Sequence, residues 1–375
     1  MVDGTKSQVL VTRSLSRREF HRALASAGIA AVAMPLLGGR ARGEEQVLYF
    51  TWAGYDVPEF RGSYIEKHGA EPSYSFYENT EAALTKVRQG FAVDVAHPCM
   101  PDIGRWRDAG IILPIDPSRI GEWDNLIPAL VDNSSVYSDG QYWMAPWEWG
   151  PSSLIYRTDK VELPEGETYS VMLDEKYKGR ISFMDTADDM ALVASLLGGV
   201  KDFYHMSEAD YATVEDAMTK LVAQARFVWS APTLAEQAMA SGELDMFWGW
   251  PNSWINLKQQ GLPVDFMLKP KEGVVTWLCG FAIMKDHPHD LELAYDLINA
   301  SLAPESGKNL IEMFGYGHSN LKTLDIVDEA KLAELGLGSD VSTYLADSNF
   351  LAERDPDMQQ RLVRMWNDVL SVAGQ

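Results

Sequence analysis

Hydrophobic positions along this chain fall into short extended runs separated by helical repeats. Val47-Leu48-Tyr49-Phe50-Thr51-Trp52 is a near-continuous apolar run of strand length, as expected of a strand covered on both faces. Residues 59–68 read as a helix, stopped by Gly69. Tyr74 to Tyr77 alternates like a strand. Asn79-Thr80 then opens a helix over 81–89, with Ala82, Leu84 and Val87 at helical spacing and Gly90 as its stop. Val93-Asp94-Val95-Ala96 is the next short strand. The order β-α-β-α-β predicts a parallel sheet with helices on its faces.

The same alternation returns in the second half. Strands are expected at 180–184, 226–229, 244–248, 264–268 and 277–284. Helices are expected at 188–197, 233–241, 290–302 and 305–314, with one more that Asn252 caps and that runs to Gln260. No repeat or flexible linker interrupts the pattern. Two apolar extended segments, 151–156 and 276–282, suit a chain that passes between two bodies on strands. The expected fold is α/β with two lobes, each a mixed or parallel sheet flanked by helices. Lobe 1 is 44–152 with 279–325, and lobe 2 is 153–278 with 326–375.

Against this pattern the aromatic residues stand out. The chain has twelve tryptophans. Many of them, and several tyrosines, sit where strands end: Trp52 and Tyr55, Trp147 and Trp149, Trp248 and Trp250, Trp277, Tyr316. Ligands of open α/β sheets bind beyond the carboxyl ends of strands. An aromatic face there attracts a cation by roughly 0.5–2 kcal/mol.

The N-terminus adds a separate signal. Ser16-Arg17-Arg18-Glu19-Phe20 reads as a twin-arginine export signal, followed by an alanine-rich apolar stretch from Ala23 to Leu37 and small residues Gly39, Ala41 and Gly43. Residues 1–43 are therefore expected to be a leader, and the rest of the chain periplasmic. The leader holds seven Lys/Arg and two Asp/Glu, so removing it moves the formal charge from −22 to −27. That acidity argues against nucleic acid as a partner and favours cationic ligands by long-range steering. The remaining ~330 residues are enough for two lobes.

Few residues suggest catalysis. No H-E-x-x-H, G-x-S-x-G, Walker or C-x-x-C pattern occurs, so no enzyme activity, cofactor or metal is implied. His97-Pro98-Cys99 lacks an orienting third group for a thiol nucleophile. His287-Pro288-His289 reads as a solvated loop. Cys99 and Cys279 either pair or stay free; spacing alone leaves both open. A Tat-exported enzyme or a carbohydrate-binding protein with a Trp-rich cleft is the competing functional class.

Several segments together resemble the periplasmic substrate-binding proteins of ABC importers, in the spermidine/putrescine branch. They are Val47 to Tyr55, Ala82 to Pro98, Lys176 to Arg180, Leu244 to Trp248, Trp277 to Ile283, and Gly315-Tyr316 with Asn320-Leu321. The resemblance implies a two-lobed fold of the type II-like kind, hinge closure over a small solute, and docking of a monomer on a membrane permease. It implies a ring-lined pocket at Trp52, Tyr55, Trp248, Trp277 and Tyr316, with Trp149 as a further wall. The family's acids carry over poorly. Cys279 stands where an Asp is expected and Cys99 where a Ser is expected. Asp185, Thr186 and Asp189 cover the other acidic site, with Asp189 on the family's Glu. Each buried ammonium needs a partner. The expected ligand is therefore a short amine, a quaternary ammonium compound or an amino-acid-like zwitterion rather than a long polyamine. In this scheme the two cysteines lie on opposite sides of the cleft.

Overall fold

The computed structural model describes residues 45–374 apart from 78, 165, 339 and 340. The expected leader, 1–43, lies outside the described residues. Fourteen strands are formed among the described residues: β1 (Leu48–Trp52), β2 (Ser73–Tyr77), β3 (Val95–Ala96), β4 (Ile112–Leu113), β5 (Tyr137–Ser138), β6 (Gln141–Tyr142), β7 (Ala145–Arg157), β8 (Ile181–Met184), β9 (Ala225–Trp229), β10 (Met246–Gly249), β11 (Val264–Phe266), β12 (Val275–Met284), β13 (Gly317–His318) and β14 (Asn349–Phe350). β5 and β6 form a separate hairpin.

The main sheet runs β2-β1-β3-β12-β7-β10-β8-β9. β1 pairs in parallel with β2 and β3, and β8 pairs in parallel with β9 and β10. These two parallel sets are the centres of the two lobes, as the periodicity predicts. Between them lie the two long strands. β12 pairs antiparallel with β3 through Ala282 and Ile283, and with β7 from Val275 to Phe281. β7 leaves β12 after Ser152 and continues along β10 from Ser153 to Tyr156. The expected crossings at 151–156 and 276–282 fall on these two strands. Both are buried almost throughout, so the polypeptide passes between lobes as core.

Local chemistry accounts for most helix boundaries. Asn79 accepts from the Ala82 amide and caps Thr80–Arg88, and Gly69 takes the left-handed conformation after Gly62–His68. One cap differs from expectation. Trp250, not Asn252, precedes the helix Pro251–Gln259, because Pro251 supplies the preset first helical position. Six helices that periodicity left unassigned are present among the described residues, the three longest being Met100–Asp108, Glu208–Gln224 and Pro356–Ala373. Among the described residues no helix is long and apolar enough to cross a membrane.

Candidate functional site

The ring series divides into separate clusters once the chain is folded. The largest lies where β7 and β12 run side by side. Trp277 on β12 stands opposite Gly150 on β7. The glycine is required there: a Cβ would come within 2.7 Å of Trp277 Cζ2. The helix Pro304–Phe314 ends on left-handed Gly315, and the chain drops Tyr316 against Trp277, ring centres 4.7 Å apart and edge to face. Phe314 meets Tyr316 at 5.6 Å and Tyr55 at 5.5 Å, both edge to face. Such pairs add about 0.5–1.5 kcal/mol each beyond burial. A continuous path of rings thus joins Tyr55, from the turn after β1, to Trp277. The indole Nε1 of Trp277 is buried without a hydrogen-bond partner.

A carboxylate lies within this cluster. Glu148 on β7 is 1% exposed. The Tyr55 hydroxyl donates to its Oε1 at 2.5 Å, and His97 Nε2 lies 3.2 Å from the same oxygen. Oε2 has no partner. Burial, then the charge of Glu148, holds the Tyr55 hydroxyl well above its ordinary range, so it stays a donor. Tyr316 is raised for the same two reasons. Burial lowers His97, with Glu148 partly offsetting it; its Nδ1 lies 3.0 Å from the Thr51 hydroxyl. Arg61, also fully buried, sits over the Trp147 ring at 4.6 Å and donates to the Phe60 carbonyl, while its Nε and Nη2 are unpartnered.

Glu148 was not among the expected site residues. The signal was present: an acid between Trp147 and Trp149 inside an otherwise uncharged extended run. A carboxylate in such a run is seldom buried unless paired.

Cys279 stands opposite Glu148 in the strand register and is disulfide-bonded to Cys99, with Cα atoms 3.9 Å apart. The cysteines therefore do not face each other across a cleft. β3 and β12 are neighbours in one sheet, which brings Cys99, just after β3, beside Cys279. No described cysteine is free, so the site has an uncharged disulfide wall at this point.

The remaining expected residues lie elsewhere. Trp52 donates from Nε1 to the His97 carbonyl and packs on Tyr77, on the opposite face of β1 from Tyr49 and Thr51. Trp149 is buried against Tyr344, and its Nε1 donates to the His318 carbonyl. Trp248 is fully buried, edge-on to Tyr169, and its Nε1 lies 3.4 Å from Asp189 Oδ1. Asp189 is 6% exposed and is pushed up to about 6, chiefly by burial; the neighbouring Ser152 hydroxyl and Trp248 indole, and Arg354, partly offset this. Asp185 is exposed and accepts from Trp366 on the C-terminal helix. Thr186 precedes the helix Ala187–Gly198 without capping it through its side chain. His289 is only partly solvated: its Nδ1 is 2.7 Å from buried Asp94, which anchors the loop. No metal-holding group of His, Cys, Asp and Glu occurs among the described residues.

Comparison with known proteins agrees with this architecture. The profile of bacterial extracellular solute-binding proteins matches residues 68–334. The putrescine-binding periplasmic protein PotF of Escherichia coli (strain K12) is 25% identical over 365 residues, spanning 92% of this chain and 96% of that protein. The crystal structure of the spermidine/putrescine ABC transporter substrate-binding protein PotD from Streptococcus pneumoniae superposes with a TM-score of 0.75 at 19% identity, covering 88% of this chain and 99% of that one. The periplasmic binding protein MotA of A. tumefaciens B6, in complex with glucopine, superposes at 0.70 with 16% identity, covering 87% and 99%. The two parallel sheets joined by buried crossing strands are thus a shared fold, and since the profile spans most of the chain, this protein belongs to the bacterial extracellular solute-binding proteins.

Proposed function

We propose that the protein is the periplasmic solute-binding component of an ABC importer, not an enzyme, and that it captures a small amine-bearing or cationic solute between its lobes. The observation that carries this reading is the ring path from Tyr55 through Phe314 and Tyr316 to Trp277, built beside the two crossing strands. Strands that cross between lobes are where a hinge movement brings both lobes onto a ligand. Lobe 1 is taken as 44–152 with 279–325 and lobe 2 as 153–278 with 326–375. Tyr55, Tyr316 and Trp277 form the ring wall. The PotF relative is named for putrescine binding, which fits an amine-bearing solute here. The twin-arginine leader delivers the folded monomer to the periplasm, where its closed form docks on a permease.

Isothermal titration of the mature protein against putrescine, spermidine, choline, glycine betaine and γ-aminobutyrate tests this. At least one is expected to bind near micromolar affinity, about −8 kcal/mol. No heat from any of them, with the protein folded, overturns the reading.

A further inference from the structure

Resting on the reading of this cleft as a solute site, we propose that Glu148 is the group that recognises the solute's ammonium, and that the cleft favours a solute with one ammonium group over one with two. Three observations carry this. The Glu148 side chain is almost wholly buried, with one oxygen engaged by Tyr55 and the other left without a partner. A buried ionised carboxylate needs a counter-charge or a full set of donors. Among the described residues no Lys or Arg pairs with it: Arg61 stacks on Trp147 and donates to a backbone carbonyl, and His97, 3.2 Å from Oε1, is driven toward its neutral form by burial. An ammonium N–H directed at Oε2 supplies what the fold leaves out, and the rings of Tyr55 and Tyr316 beside it favour a cation further.

The limit to one charge follows from what stands around Glu148. Its strand partner across the sheet is Cys279, tied to Cys99 in a disulfide, which offers no charge to a second ammonium. The other buried carboxylate considered for the site, Asp189, has its Oδ1 near the Trp248 indole, with Arg354 exerting an opposing field on it. Asp185 is exposed and bound to Trp366. Glu236, which also acts on Tyr316, has its Oε1 accepting from the Ser253 hydroxyl, and among the described carboxylates acting on the ring path Glu148 is the buried one with an unpartnered oxygen.

The test uses the mature chain and titration calorimetry with putrescine and n-butylamine, which share a four-carbon chain and differ by one ammonium, beside the panel above. Glu148→Gln keeps the size of the side chain and an acceptor for Tyr55 but removes the charge. It is expected to weaken binding of the best amine at least a hundredfold, while Asp189→Asn changes it less than fivefold. Wild-type protein is expected to bind n-butylamine at least as tightly as putrescine. Unchanged affinity in Glu148→Gln, or loss of binding in Asp189→Asn alone, overturns the assignment while leaving the solute-binding function in place. Absence of binding by wild type to every amine sinks the function and this inference together. If Glu148→Gln does not fold, the wild-type pair decides: putrescine bound a hundredfold more tightly than n-butylamine requires a second acid and overturns the proposal.

Discussion

Two of the buried carboxylates of this protein, Glu148 and Asp189, are built from the same ingredients and differ in how their oxygens are engaged. Glu148 and Asp189 each lie beside a tyrosine or tryptophan donor on or near β7, and each is nearly inaccessible to water. Asp189 has its Oδ1 beside the Trp248 indole, Arg354 exerts an opposing field on it, and burial lifts it to about 6. Glu148 has one oxygen satisfied and one open, inside a ring cluster whose Trp277 indole is also unpartnered. The contrast teaches that a carboxylate near aromatic rings is not by itself a site. In the assignment proposed above, the open oxygen of Glu148 beside the ring path is what sets it apart from Asp189.

Exchanging the tryptophans separates the two carboxylates most strongly. Trp277→Ala is expected to abolish measurable binding while the circular dichroism spectrum stays native; unchanged affinity makes Trp277 a core ring like Trp248. Trp248→Phe should do the reverse. It removes the donor to Asp189 and is expected to lower unfolding stability by about 1–3 kcal/mol, with affinity within threefold of wild type. A binding loss larger than the stability loss places Trp248 in the site.

The next effect concerns pH. Asp189 has its folded value raised to about 6 from 3.8, so between these values the folded state holds a proton that the unfolded state has released. Its contribution is present at low pH and is lost as pH rises from about 4 to about 6, a difference of roughly 3 kcal/mol. Urea unfolding of Asp189→Asn across this range should therefore show the variant gaining on wild type as pH rises. Parallel curves count against a buried, proton-holding Asp189. The smallest expected effect is on Gly150. A methyl at this position meets Trp277 at 2.7 Å, and overpacking of this kind costs about 1–3 kcal/mol. Gly150→Ala should weaken binding by displacing the indole; a melting shift without any change in affinity means that the ring tolerates movement.

Much of the fold was legible in the chain because it rests on local periodicity. The runs at Val47–Trp52 and Trp277–Met284, the Asn79 cap and the glycine stops each depend on residues a few positions apart, and each element formed within a few residues of expectation. The Asn252 cap failed for an equally local reason, the preference of Pro251 for the first helical turn. The ring positions were legible as a set but not as a site. Strand alternation puts Trp52 on the Tyr77 side of β1, and Trp248 turns inward to Asp189, so only Tyr55, Trp277 and Tyr316 of the five share one path of contacts.

The α/β order, the two strands that join the lobes and the supply of rings follow from local sequence, since backbone preference and hydrophobic spacing act over one turn or one strand. Tertiary structure alone decided which acid keeps an open oxygen and whether the cysteines pair. Tyr55 and Glu148 are 93 residues apart, and Cys99 and Cys279 are 180 apart. Contacts over such separations exist only once the sheet has set β3, β12 and β7 side by side, because a side chain's partners are chosen by strand register and not by its neighbours in sequence.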